Sequence, residues 1–202
     1  MGREEPPETR ETARDRIYRV AARLYALRGY EGTSIREIAE AAGVTKPLVH
    51  YHFESKERLF SDLLDHAIGR CACQAAAIAA RETGSAEKLR ELIRAFAAEA
   101  REAPEIVCFA QEALTMPGRL PLAAEQKDRG RELFEIIVRL IAEGCRRGEF
   151  RQTDARHAAA VVIAAFGFVA VAVLAGDIKE VPADYGDFLF DLLWRGLEAR
   201  AT

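Results

Sequence analysis

Apolar residues recur at helical spacing from Ile17 onward: Val20, Ala21, Leu24, Ala26 and Leu27 follow at steps of three and four, and Gly29 then supplies a stop. This predicts a first helix beginning near Arg10, after an arm (1–9) that carries Glu4, Glu5, Pro6 and Pro7 and no apolar period. Ser34 and Glu37 stand at the Ser-x-x-Glu spacing that caps a helix start reciprocally, so a second helix opens there with Ile35, Ile38 and Ala39 turned inward. Gly43 ends it, because glycine accepts the left-handed backbone of a tight turn. Thr45 caps a third short helix, with Pro47 in its first turn, where a missing N–H costs nothing. Glu54-Ser55-Lys56 opens a longer amphipathic helix through Leu59, Phe60, Leu63, Leu64 and Ile68 toward Ala80. Further helices are expected at about 86–102, 105–116, 122–147, 155–175 and 183–200, separated at Pro104, Met116-Pro117-Gly118, Gly148 and 176–182. No strand-like alternation occurs, so the expected class is all-α: a helix-turn-helix domain over 10–58 and a helical bundle over 59–202.

Composition and patterning add four points. Hydrophobic residues at 50% and charged residues at 30% suit a chain of 202 residues that buries its own core. The net charge of −3 hides an asymmetry, since 10–58 holds ten Lys/Arg against seven Asp/Glu. With no secretory signal ahead of them, Cys71, Cys73, Cys108 and Cys145 are expected as free thiols in a reducing cytoplasm. Ala158 to Gly176 runs nineteen residues without a charge, long enough to span a membrane. Its Ala, Gly and Val content and the lack of strongly basic flanks or a Trp/Tyr belt fit a helix buried in a soluble bundle.

Two short helices around a glycine turn, braced by a preceding helix, are the arrangement that presents a recognition helix to the DNA major groove. Around the helix starts cluster Thr33, Ser34, Thr45, Lys46, His50, Tyr51 and Lys56, whose donors suit phosphate oxygens. The run Thr33-Ser34-Ile35-Arg36-Glu37-Ile38-Ala39, then Ala42-Gly43-Val44-Thr45-Lys46, then Tyr51-His52-Phe53 and Ser55-Lys56-Glu57, resembles the DNA-binding domain of the TetR family over roughly residues 10 to 60. The rest resembles that family in layout alone, including the step Gly148-Glu149-Phe150 to Asp154 before an apolar helix.

The resemblance implies that Ser34, Tyr51 and Lys56 hold phosphates, with Thr33, Thr45 and His50 assisting. It places Lys46, Pro47 and Leu48 at the start of the recognition helix, against base edges or thymine methyls. Where the family often has Tyr and Gly-Thr, this chain has His50 and Pro47-Leu48, so the resemblance carries over no operator sequence.

One helix-turn-helix reads too few base pairs, so a homodimer on paired half-sites is expected. Ala165 on the small-residue helix, with Phe188, Leu189, Leu192, Leu193, Trp194 and Leu197 on the last, are the expected interface. Phe96, Phe109, Glu112, Met116, Phe134, Ile137, Phe166 and Val169 lie on helices that in the family surround a pocket, so they are candidates to line one for a small, largely apolar effector. No cofactor or metal is expected: no phosphate loop, nucleophile elbow or His-Glu-x-x-His occurs, and His50 and His52 diverge on a helix. The function expected is a ligand-responsive transcriptional regulator that grips operator DNA, repression being the family's habit. The alternatives are a ligand-independent DNA-binding protein and, more remotely, a membrane-associated helical protein.

Overall fold

The computed structural model describes residues 12–115 and 124–197, and these form helices with no strand among the described residues. The helices are α1 (Ala13–Arg28), α2 (Ile35–Ala41), α3 (Lys46–Phe53), α4 (Lys56–Ala79), α5 (Ser85–Glu102), α6 (Pro104–Thr115), α7 (Ala124–Arg146), α8 (Ala155–Ala175) and α9 (Tyr185–Leu197).

Helix starts follow their caps. Thr12 and Asp15 close a capping box on α1, Ser34 and Glu37 on α2, while Thr45, Ser55 and Asp154 cap α3, α4 and α8 with single side chains. The start of α5 is capped from elsewhere in the chain: Gly84 has no side chain to offer, and the Ala86 N–H donates instead to Glu149 at 3.0 Å. The Gly148-Glu149-Phe150 step is thus a brace, since Phe150 is also buried beside Trp194. At the neighbouring corner Lys88 donates to the Ala79 carbonyl at 3.0 Å, satisfying the end of α4.

Two main cores result. The first joins α1, α2 and α3 through Ile17, Tyr25, Ile38, Val49 and Phe53, and includes Leu59, Phe60, Leu63, Leu64 and Ile68 from α4 and Phe109 from α6. The second joins the rest of α4, from Ala75, to α5, α7, α8 and α9. A division at Arg58/Leu59 therefore falls where packing is continuous, because the first half of α4 is the floor of the N-terminal core. Tyr25, Tyr30, Phe60 and Phe109 form an aromatic cluster with ring centroids 4.8–5.8 Å apart, mostly edge-to-face or tilted, fixing α6 against α1.

Helix α8, uncharged from Ala158 onward, is long and apolar enough to cross a membrane by length and composition. One side buries Ala159, Val162, Phe166, Gly167, Val169, Ala170 and Ala172 within the bundle. Gly167 is needed there, because a Cβ would strike the side chain of Gln111 on α6. The four cysteines are free, as expected, and the burial of Cys71 and Cys108 pushes their thiol pKa values up to about 11.

Candidate nucleic-acid interface and effector pocket

Helices α2 and α3 meet across Gly43, whose φ of 63° is the left-handed turn the sequence calls for. Val49 and Phe53 anchor α3 in the core, which leaves Lys46, Pro47, His50 and Tyr51 exposed on the opposite side. Tyr51 is 82% exposed, the largest exposure of any big apolar residue described. Leu48 is half-buried.

The individual donors are not equivalent. The Lys56 ammonium lies 4.0 Å from the centre of the Tyr30 ring, which holds it in place without consuming its N–H donors. Tyr30 in turn donates to Glu57 at 3.0 Å, and burial followed by that bond pushes its pKa up to about 12. Thr45 accepts from the Leu48 N–H at 3.4 Å, and its own hydroxyl proton has no partner among the described residues. His50 Nδ1 lies 3.0 Å from the Glu54 carbonyl; a carbonyl only accepts, so Nδ1 carries a proton and Nε2 is the ring nitrogen left for another partner.

Ser34 donates its hydroxyl proton to Glu37 at 2.8 Å, so its role in the free protein is the cap. Thr33 corrects the sequence expectation. It is 2% exposed and donates to the Gly29 carbonyl at 3.0 Å, so its hydroxyl tightens the α1–α2 turn and faces no phosphate. His52 is half-buried beside Tyr51 and Phe53.

A cavity of about 710 Å3, its open mouth included, lies between α4, α5, α6, α7 and α8. Of the residues expected to line it, Phe96 and Phe166 do, meeting edge-to-face with centroids 5.5 Å apart. The others do not. Phe109 is fully buried in the N-terminal core, Ile137 in the second core, and Val169 with Ala100 and Val181 in a third small cluster. Phe134 packs beneath the Arg156 guanidinium and Glu112 lies outside the lining, while Met116 falls outside the described residues. The sequence missed His66, Arg70 and Cys71 of α4, Glu99 of α5, Gln111 of α6 and Ile163 of α8. His66 and Arg70 stand at i and i+4 on an otherwise apolar stripe, a polar break that was visible in the chain.

The expected dimer residues also divide. Phe188 and Leu192 are each 60% exposed, but Leu189 is buried within the protomer and so is unavailable to a partner. Ala165, Leu193 and Trp194 are half-buried against the second core, and nothing is described of the Leu197 side chain. Val161, Phe168 and Val171, which the sequence reading did not single out, form an exposed apolar stripe on α8, with Phe168 at 76%.

A braced helix-turn-helix with an outward recognition helix, joined to a helical bundle that contains a cavity, defines a DNA-binding transcriptional regulator. The comparisons agree. Residues 17–63 match the profile of the bacterial regulatory proteins of the tetR family. The helix-turn-helix-type transcriptional repressor KstR2 of Mycolicibacterium smegmatis is 31% identical over 150 residues, covering 72% of this chain and 71% of that protein. The repressor NicS of Pseudomonas putida is 26% identical across 91% of the chain and 92% of its own length. Among solved structures, KstR2 of Mycobacterium tuberculosis, described as a ketosteroid transcriptional regulator, superposes with a TM-score of 0.77 at 20% identity over 94% of this chain and 96% of that one. The chain belongs to the tetR family of bacterial regulatory proteins.

Proposed function

We propose that this regulator is a homodimeric repressor that a small, largely apolar effector releases from its operator. The carrying observation is the position of the cavity: its walls on α4 and α6 are the helices whose Leu59–Ile68 and Phe109 side chains complete the core of the DNA-binding domain. A ligand that shifts those walls shifts the platform of the recognition helix. The names of KstR2 and NicS, both repressors, support repression. Lys46, Pro47 and Leu48 read base edges, while Ser34 (at its helix cap), Thr45, His50, Tyr51 and Lys56 position the backbone. The exposed stripe of α8 with Phe188 and Leu192 of α9 forms the two-fold contact, which accounts for apolar surface that water would otherwise face.

Binding-site selection from a random duplex pool tests this. The selected sites are expected to be inverted repeats with half-site centres about 10 base pairs apart, or a multiple of that. Recovery of unrelated sequences with no shared half-site would overturn the reading in favour of a sequence-indifferent DNA-binding protein.

A further inference from the structure

The cavity is mostly apolar; apart from Gln111 of α6, its hydrogen-bonding and charged lining side chains gather where α4 meets α5. There His66 and Arg70 lie one turn apart on α4, and Arg70 donates to Glu99 of α5. The Glu99 side chain is 15% exposed and that of Arg70 52%, so the carboxylate faces inward and the guanidinium reaches the rim. One cation and one anion cancel. Burial, then the nearby Arg70, hold the His66 imidazole below its usual pKa of 6.5, so it is neutral near pH 7. The next charges felt by His66, Arg14 and Asp15 of α1, are again one of each sign.

This end therefore offers hydrogen-bond donors and an acceptor with no net charge. A ligand ion entering it would leave water without finding an uncompensated counter-charge, whereas a hydroxyl or carbonyl would trade water contacts for protein ones. We propose that His66, Arg70 and Glu99 form a subsite for an uncharged hydrogen-bonding group at the tip of an otherwise apolar effector, the body of which packs on Phe96 and Phe166; this rests on the effector-pocket reading above.

The same end touches the DNA-binding domain. The His66 ring lies nearly parallel to that of Tyr18 on α1, with centroids 5.9 Å apart, and Tyr18 meets Phe53 of the recognition helix edge-on at 5.0 Å. The Arg14 guanidinium covers both Tyr18 and Phe53. The polar tip of the ligand thus meets His66, whose ring contact with Tyr18 leads on to α3.

Three probes of equal chain length decide the matter: 1-decanol, decanoate and decylammonium, titrated calorimetrically into the full-length protein near neutral pH below their self-association concentrations. The alcohol is expected to bind tightest, by about tenfold. Glu99→Gln leaves Arg70 unbalanced and moves the preference to decanoate; Arg70→Gln moves it to decylammonium. If either ion binds the wild type most tightly, or the ranking does not move in the folded variants, the subsite is wrong while the pocket stands. Binding of none of the three overturns the pocket reading and the subsite together. Should either variant fail to fold, the wild-type ranking decides alone.

Discussion

Thr33 and Ser34 are neighbours in sequence, yet their hydroxyls serve different ends: one is buried on the Gly29 carbonyl, the other caps α2. Thr33→Val should cost about 1 kcal/mol of stability, through the unpaired Gly29 carbonyl, with no change in the salt dependence of DNA binding. A changed salt slope in a titration of the folded variant would restore Thr33 as a phosphate contact. Lys56 should behave in the opposite way. Its ammonium rests on Tyr30 but makes no ion pair among the described residues, so Lys56→Ala should weaken binding to all sequences alike and lower the log–log salt slope by about one unit per half-site. Changes at Lys46 or Leu48 should instead alter which sequences a random pool yields.

At the level of the element, α2 has only seven residues and depends on its cap. The hydrogen bonds from the Ser34 side chain and then its backbone N–H hold the Glu37 carboxyl below its ordinary value of 4.5, with Arg28 adding to the effect at 3.1 Å. A carboxylate with a depressed folded pKa contributes stability that is fully present above 4.5 and is lost as pH falls through the folded value. Urea unfolding of wild type and Glu37→Gln should therefore differ at neutral pH and converge on acidification. A gap that widens toward low pH would show the sign to be wrong. Between α3 and α4 the chain turns on Glu54, whose φ of 59° and ψ of −52° are strained for a residue with a Cβ. That turn, closed by the Ser55 N–H on the Phe53 carbonyl, sets the angle between the recognition helix and α4.

For the whole molecule, two recognition helices must lie about 34 Å apart to enter successive major grooves on one face of DNA, so the dimer contact and the pocket act on one quantity. Phe168→Glu, at an exposed position of α8, should leave the protomer folded and yield monomers in analytical ultracentrifugation, with operator affinity lost in parallel. A variant that remains dimeric would place the interface elsewhere. Linkage fixes a further outcome: an effector that weakens operator binding by a given factor must itself bind more weakly by that factor on saturating operator, at about 1.4 kcal/mol per tenfold. Equal effector affinities with and without operator, by calorimetry, would exclude allosteric release.

The caps, the glycine turn and the spacing of Ile17, Ile38, Val49 and Phe53 are local, and local signals were legible: Thr45 and Ser55 cap the helices where the sequence placed them, and Tyr51 lies exposed on α3. Helix periodicity also marked Phe109 and Leu189 as apolar, but period alone does not say which neighbour an apolar side chain meets. Tertiary packing decided that. Phe109 went to the DNA-binding core because α6 lies against α1, Leu189 went inside because α9 turns that side toward α5, and Phe168 stayed outside because Gly167 beside it takes the close approach to α6. The polar end of the cavity was likewise out of reach of the chain read in order, since Arg70 and Glu99 are twenty-nine positions apart and become a pair only where α4 and α5 pack together.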